Sequence, residues 1–388
     1  MAWNGSREVA FILADVPDFP RPPAEWERRV RERTFYDPVT GADLRAFIRA
    51  VSYGRARLTG DIYGPFNVAL ARNPDGSVHL GVTMDNAIRA AQGLIEGYLY
   101  ACIVFTQSPG PAWAFWGYSP GYFYSPQHQQ YPSTYTSTIT GTCYVDTDDP
   151  LGVWAMENLH AITQFGDLYG ISDSPGAFDV MDCSCGTHPS SFTKSKLGWL
   201  DGSEVVVIPP GTPARTVTLQ ALGSPRRPGS VYAAKLTSTT GSQRYFLVEA
   251  RMRVDRYENA TPGVSTGISS EGVVVYWIDE SSWPPVHLRR PVLTPGAEFA
   301  DQVEGVRISE VAQAPSGFAV RIERGEPAEC DWIRTQLDDL GTRIDDLRQD
   351  LVEEADPRVR AGILQEIRAL ESQAQRLRNR ANTLGCSL

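Results

Sequence analysis

Glu157 and His160 are the two residues of this chain whose types and spacing point most directly to chemistry. In the pattern H-E-x-x-H, two histidines four residues apart lie on one helical face and hold Zn²⁺, and the glutamate acts as general base. Here Met156 stands where the first histidine would be. Because a thioether is a soft, neutral and weak ligand, the sequence predicts a hydrolytic metal helix with a damaged ligand set.

The segment that precedes this helix predicts alternating strands and helices. Residues 8–19 begin with an apolar run bounded by proline, which is typical of a buried strand. Apolar residues at helical spacing predict a helix that starts near Leu44 and is ended by Gly54. A strand at 58–63, a helix at 84–96 and a buried strand at 98–106 are expected next.

Residues 107–140 are rich in Trp, Tyr and Phe among Pro, Gly, Ser and Gln. One interpretation is a long ordered loop whose rings pack on the body of the domain. The other is an aromatic wall of a cleft or an interaction surface, since exposed Tyr and Trp are typical anchors of interfaces.

Residues 203–325 consist of β-branched and aromatic runs separated by Gly and Pro turns. This pattern predicts an antiparallel β-domain or sandwich. We therefore expect an α+β protein with three parts: a first domain over 1–202, a β-domain over 203–327 and a helical unit over 328–388.

The last part predicts an antiparallel helical hairpin. Its apolar residues step by four and three from Ile333 to Leu351, and the same rhythm continues after Pro357. Asp356 suits the cap of the second helix, with Pro357 in its first turn. Folding at that turn brings Cys330 close to Cys386, so we expect a disulfide at the open end. The hairpin is either an appended stabilising element or an assembly element, because two helices alone leave apolar surface uncovered.

Composition limits the possible functions. With 388 residues, 42% hydrophobic and 21% charged residues, the chain is typical of a globular protein. A formal net charge of -10 argues against sequence-independent nucleic-acid binding. No apolar run is long enough to span a membrane. The N-terminus lacks a basic-then-apolar signal peptide, so either the protein stays in the cytoplasm or a leader has been removed.

The remaining four cysteines leave several pairings open. Cys183 and Cys185 are too close in sequence for a structural zinc pair without a second pair, and they are expected to be poorly placed to bond each other. A bridge from Cys143 to one of them is the more plausible pairing. Cys102 would then take the other partner or remain a buried thiol. Paired cysteines favour an oxidising compartment, so an extracellular or cell-surface location is expected.

Five stretches together resemble the immune-inhibitor-A-like family of secreted bacterial metallopeptidases, which are zincins. The resemblance covers roughly residues 8–325 and leaves the hairpin outside. Residues 44–64 are similar to the family's leading helix and strand, and residues 152–169 to its zinc helix. Residues 177–182 are similar to its Met-turn, and residues 196–200 to a segment beyond that turn. Residues 244–253 and 273–280 are similar to parts of its downstream β-domain.

The resemblance implies a role for several residues. By position, His160 matches the second zinc ligand, Glu157 the general base, Asp167 the third ligand, and Met181 the apolar floor beneath the metal. The segment 163–166 is one residue longer than usual and lacks the family's turn glycine, which leaves open whether Asp167 faces His160.

A catalytic zinc needs three protein ligands and an open position for water. His128 and His188 are the histidines that could substitute for the missing ligand from flanking loops, and the alternative is that both are loop residues bonded to backbone. His79 and His287 lie in surface-like or turn contexts and are poor substitutes. Glu157 and His160 also have a purely structural interpretation, as a hydrogen-bonded core pair with Met156 as core filler.

Three functions follow as hypotheses. The first is a catalytically impaired metallopeptidase homologue that binds a protein or peptide, or that assembles through the hairpin or the 107–140 segment. The second is an active zinc endopeptidase with an unconventional site. The third is a structural subunit of a surface or filament assembly.

Overall fold

The fold is described by a computed structural model. It covers residues 2–16, 23–106, 113–119, 122–124, 130–132, 139–238, 241–326, 329–384, 386 and 388, with the backbone alone for the strands between 113 and 132. His128 and most of the aromatic segment 107–140, including all its side chains from 107 to 138, lie outside the described residues, so both hypotheses about that segment stay open.

The first part of the chain alternates strands and helices, as the sequence predicts. Two short 3₁₀ turns lie at Gln92–Leu94 and Gly176–Phe178. The elements in chain order are β1 Gly5–Asp15, α1 Pro23–Thr34, α2 Leu44–Val51, β2 Ala56–Asn67, α3 Leu80–Ala91, β3 Tyr100–Phe105, β4 Trp113–Ser119, β5 Tyr122–Tyr124, β6 Gln130–Pro132, β7 Gly141–Asp146, α4 Leu151–Thr163, α5 Val180–Cys183 and α6 Ser191–Lys196.

These strands form one sheet in the order β2-β1-β3-β7-β4-β5-β6. The first four strands of that order are parallel, and β4 runs antiparallel to β7. Alternate side chains of strand β1 point to opposite sides of the sheet, and both sides are buried. Phe11 packs in the core that contains α2 and α4, whereas Ile12 packs in the core that contains α3. The sheet therefore supports α4 on one face.

The second part is a β-structure of two sheets, which agrees with the predicted β-domain. One sheet has the order β13-β12-β11-β10-β8 and the other β14-β15-β16-β9, with β8 and β10 as the parallel pair and a shared apolar core. The strands are β8 Val205–Ile208, β9 Arg215–Gln220, β10 Ala233–Thr237, β11 Arg244–Arg251, β12 Gly272–Asp279, β13 Val286–Leu293, β14 Phe299–Asp301, β15 Val306–Ala314 and β16 Gly317–Arg324.

The predicted C-terminal helix pair is present. Helix α7 spans Glu329–Glu353 and helix α8 spans Pro357–Leu384, and their heptad positions form the contact between them. Asp356 caps α8 by accepting a hydrogen bond from the backbone N–H of Arg358 at 2.7 Å. Cys330 and Cys386 lie at disulfide distance, with a Cα–Cα separation of 5.5 Å.

The expected pairing of the other cysteines is wrong. Cys183 and Cys185 lie at disulfide distance from each other, with their Cα atoms 5.1 Å apart. The reason is local: Ser184 adopts a left-handed conformation that ends α5 and folds the chain back. Cys143 lies opposite Cys102 on neighbouring strands, and both are buried thiols.

Cysteine pairs at disulfide distance are compatible with an oxidising compartment. Within the described ranges, no helix combines the length and the apolarity that crossing a bilayer requires.

Candidate functional site

Helix α4 carries Met156, Glu157 and His160, the three positions of the predicted metal helix, and it is buried on all sides. From Leu151 to Thr163 only Val153 is more than slightly exposed. Gly152 lets the helix approach the chain after α5, because a Cβ at this position would lie 1.9 Å from the carbonyl oxygen of Ser184. This close approach brings Met156, Glu157 and His160 under the segment that contains Met181, whose side chain is fully buried.

Asp167 does reach His160. Its Oδ1 lies 2.8 Å from Nε2 of the histidine. Gln164 makes this possible, since it adopts the left-handed conformation (φ 59°, ψ 26°) that glycine usually supplies at a helix end, and its N–H bonds to the carbonyl of His160. The longer turn is thus accommodated without the expected glycine, and the question left open by the sequence is settled.

The turn that carries Asp167 is also held from outside. The ring of Trp283, in the loop between β12 and β13, packs edge-on against Phe165 with centroids 5.6 Å apart. A Cβ on Gly166 would come within 2.6 Å of the Trp283 ring, so the ring in its present position packs directly on the glycine. The backbone N–H of Leu168 then bonds to the carbonyl of Met181 at 3.0 Å, which fixes the turn to α5.

His160 has a polar neighbour at each ring nitrogen. Nδ1 faces the carbonyl oxygen of Phe165, which can only accept, so this nitrogen carries a proton. Nε2 lies 2.8 Å from a carboxylate oxygen of Asp167. Burial acts to lower the pKa of His160, but the proximity and the charge of Asp167 outweigh burial and raise it. The carboxylate of Asp167 therefore favours the protonated form of His160.

Glu157 is buried beside this pair, and within the described part of the chain its Oε2 has no hydrogen-bond partner. Burial raises the pKa of Glu157 to about 8, with Asp167 adding to the rise and the charge of His160 opposing it. At neutral pH the group is thus largely a neutral carboxylic acid. The described contacts of His160 go to Phe165 and Asp167, and its interaction with Glu157 is one between charges, so the interpretation of Glu157 and His160 as a core pair stays a prediction.

Met156 fills the remaining position of the cluster. Its side chain is 3% exposed, and its Sδ accepts a hydrogen bond from the hydroxyl of Ser184 at 2.9 Å. The sulfur is therefore directed toward the loop after α5, and it behaves as a core side chain with a local partner.

These residues do not fit a catalytic Zn²⁺. A catalytic site needs three strong ligands, and the described residues bring together one imidazole and one carboxylate, those of His160 and Asp167, with no group of three or more His, Cys, Asp or Glu side chains arranged to hold a metal. The bond from His160 Nδ1–H to a carbonyl is nevertheless the outer contact that metal-binding histidines make.

The other histidines of the described residues are engaged elsewhere. His188 is not a loop residue bonded to backbone: its ring Nε2–H donates to Asp255 at 2.8 Å, and its Nδ1 accepts from Lys194 at 3.1 Å. His79 caps α3 by accepting from the N–H of Val82, and His287 pairs with Asp173.

A second buried polar cluster was not found from the sequence. Its centre is Arg251, which is fully buried and donates to Glu249, to both oxygens of Glu258, and to two backbone carbonyls, those of Phe178 and His188. Burial acts to lower the pKa of Arg251, but the two carboxylates hold it above its usual value. No spacing in the sequence predicts it, because its members come from four separate segments.

Lys194 belongs to the same cluster. It is fully buried, donates to the carbonyl of Val51 and to His188, and lies 4.1 Å from the centre of the Tyr53 ring. Burial, together with the nearby charge of Arg251, lowers the pKa of Lys194 to about 7. This network ties the first part of the chain to the β-structure.

In comparisons with known proteins, no protein-family model matches the chain, and no curated protein matches it significantly.

Proposed function

We propose that this protein is a zincin-like metallopeptidase homologue that has lost hydrolysis and acts by binding protein or peptide segments. The observation that supports the proposal is the direct contact of His160 with Asp167 at 2.8 Å, next to a methionine in the first ligand position. Two groups that the family resemblance assigns to a metal lie in contact with each other, and burial raises the pKa of the proposed general base Glu157 to about 8.

The chemistry that remains supports binding rather than catalysis. Hydrolysis of a peptide bond in a zincin requires a metal that acidifies water and a carboxylate that takes the proton. In the proposed protein neither function is met, because the first ligand position holds Met156, which bonds to Ser184, and because burial raises the pKa of Glu157 to about 8. An extracellular or cell-surface location fits the paired cysteines.

The test is zinc content, measured by elemental analysis of the purified protein and of Met156→His. We expect no stoichiometric zinc in the unmodified chain. We expect about one zinc per chain in Met156→His, because the substitution supplies the second imidazole beside His160 and Asp167. Met156→Leu is the matched control, since it fills the same space without a ligand and should bind no zinc.

Either of two results would contradict the proposal. Stoichiometric zinc in the unmodified chain, together with cleavage of an unfolded protein substrate, would establish the alternative of an active zinc endopeptidase. That alternative is favoured by one observation, the bond from His160 to the carbonyl of Phe165. Absence of zinc from a folded Met156→His would show that the cluster never had the shape of a metal site.

A further inference from the structure

A cleft of about 1110 Å³ opens on the side of α2 and β2, and its lining shares no residue with the cluster on α4. Helix α2 and strand β2 form one wall, and the turns at 223–226 and 254–255 form the other. Its size exceeds what a drug-sized ligand usually fills.

The lining is rich in arginine although the whole chain carries a net charge of -10. Arg45, Arg49, Arg57 and Arg226 line the cleft, against two acidic residues. Both acidic groups have internal roles: Asp43 caps α2, and Asp255 accepts from His188. The lining therefore carries more arginines than carboxylates, in contrast to the chain as a whole.

Two of these arginines are available for a ligand. Arg49 and Arg57 are exposed, and the described residues include no hydrogen-bond or ion-pair partner for either guanidinium. Arg226, by contrast, pairs with Glu204 and Asp201. A guanidinium presents five N–H donors in a planar fork that matches a carboxylate, so two unpaired forks at one cleft indicate an anionic ligand.

The floor of the cleft is rigid. Tyr53 lies there with a left-handed backbone (φ 56°), an uncommon conformation for a bulky residue. Its hydroxyl donates to the carbonyl of Leu222 at 2.8 Å, its ring lies tilted against that of Tyr232 with centroids 5.2 Å apart, and the buried Lys194 lies over its face. Such conformations persist only where the surroundings fix them, and they concentrate at binding sites.

Two available guanidinium groups on different elements favour a ligand with several anionic groups over a single point anion. Arg49 lies on α2 and Arg57 lies on β2, whereas Arg45 donates to the backbone carbonyl of Phe35. Alternate side chains of an extended acidic peptide point to one side and place carboxylates about 6.6 to 6.8 Å apart. We infer that this cleft binds an extended acidic peptide segment, with carboxylates of the peptide paired to Arg49 and Arg57.

This inference names the ligand class of the proposed binding function and rests on that proposal for its biological setting. An experiment can contradict the proposed function without contradicting the inferred ligand, and the reverse also holds. Zinc and cleavage in the unmodified chain would overturn the proposed function, whereas the cleft is tested by peptide binding, which requires no metal.

The experiment measures fluorescence anisotropy of labelled hexaglutamate with the full chain at low ionic strength. We expect saturable binding, with hexalysine inactive. Diglutamate should bind about 10-fold more weakly, since it reaches only one arginine. The double variant Arg49→Glu/Arg57→Glu should weaken binding of hexaglutamate about 100-fold, because each reversal removes a charge-assisted bond.

Two further variants keep the result interpretable. Arg49→Gln/Arg57→Gln removes the charges without repulsion and should also weaken binding, which separates lost contacts from misfolding; a thermal unfolding curve checks each variant. Arg215→Glu is the matched control, since Arg215 is exposed on β9 away from the cleft, and it should bind like the unmodified chain. No saturable binding, equal affinity for diglutamate, or an equal loss with Arg215→Glu would overturn the inference.

Discussion

The two buried polar clusters of this protein differ in how completely their groups are satisfied. Around Arg251, the guanidinium donors meet two carboxylates and two carbonyls, and Lys194 and His188 are bonded in the same network. On α4, His160 and Asp167 form an ion pair at 2.8 Å, but Oε2 of Glu157 has no hydrogen-bond partner in the described part of the chain.

The difference indicates which cluster serves the fold. A fully bonded charge network stabilises one arrangement of the surrounding segments, whereas a buried acid without a partner costs stability. Buried ionisable groups with strongly shifted pKa values concentrate at functional sites. We therefore interpret the Arg251 cluster as structural and the α4 cluster as the remnant of a reactive site.

The largest expected effect comes from removing the centre of the bonded network. Arg251→Met leaves Glu249 and Glu258 buried without a counter-charge, and we expect the free energy of unfolding to fall by about 4 kcal/mol. Urea denaturation measures the loss, with the exposed Arg215→Met as control. A loss as small as that of the control would remove the distinction between the two clusters.

Glu157 should give the next largest effect, seen as pH dependence. Its folded-state pKa of about 8 lies above the usual 4.5, so the folded protein keeps a proton that the unfolded chain releases. The stability contribution is therefore full below pH 4.5 and is lost as pH rises toward 8. Between pH 5 and pH 7 this loss amounts to about 2.5 kcal/mol.

The variant Glu157→Gln does not titrate and should lack that part of the decline. Unfolding free energies measured at both pH values test it against Glu96→Gln, a substitution at an exposed glutamate. If Glu157→Gln follows the pH dependence of the unmodified chain, Glu157 is ionised in the folded protein and the proposed loss of base function loses its support.

Lys194 should show a smaller effect of the opposite sign. Its folded-state pKa of about 7 lies below the usual 10.5, so above pH 7 the unfolded chain holds a proton that the folded protein has released. Stability therefore rises with pH, by about 2 kcal/mol between pH 7.5 and pH 9. Lys194→Met should lack this rise, whereas Glu157→Gln should retain it. A rise that persists in Lys194→Met would assign it to another group.

The sequence predicts well what depends on local periodicity. The heptad spacing from Ile333 onward indicates the helix pair, and the apolar run of β1 indicates a buried strand. Both predictions succeed because the period of the apolar residues determines which secondary structure places them on one buried surface. The contact between Cys330 and Cys386 follows from the same geometry.

What depends on a single backbone conformation or on distant partners is not predictable in this way. Gln164 and Ser184 both adopt left-handed conformations that their residue types do not signal, and these decide where Asp167 points and how Cys185 pairs with Cys183. The position of Arg251 among Glu249 and Glu258 depends on how separate segments pack. The α4 motif itself is visible in the sequence, but its protonation state is not.

The contact between Cys330 and Cys386 also determines how the C-terminal unit would carry mechanical load. Tension applied beyond Cys386 passes through the sulfur bridge to Cys330 and on to the β-structure, so it bypasses the two helices. The intervening chain, about 190 Å when fully extended, is released only if the bridge is reduced. The oxidised hairpin can therefore lose its helices without its two ends moving apart.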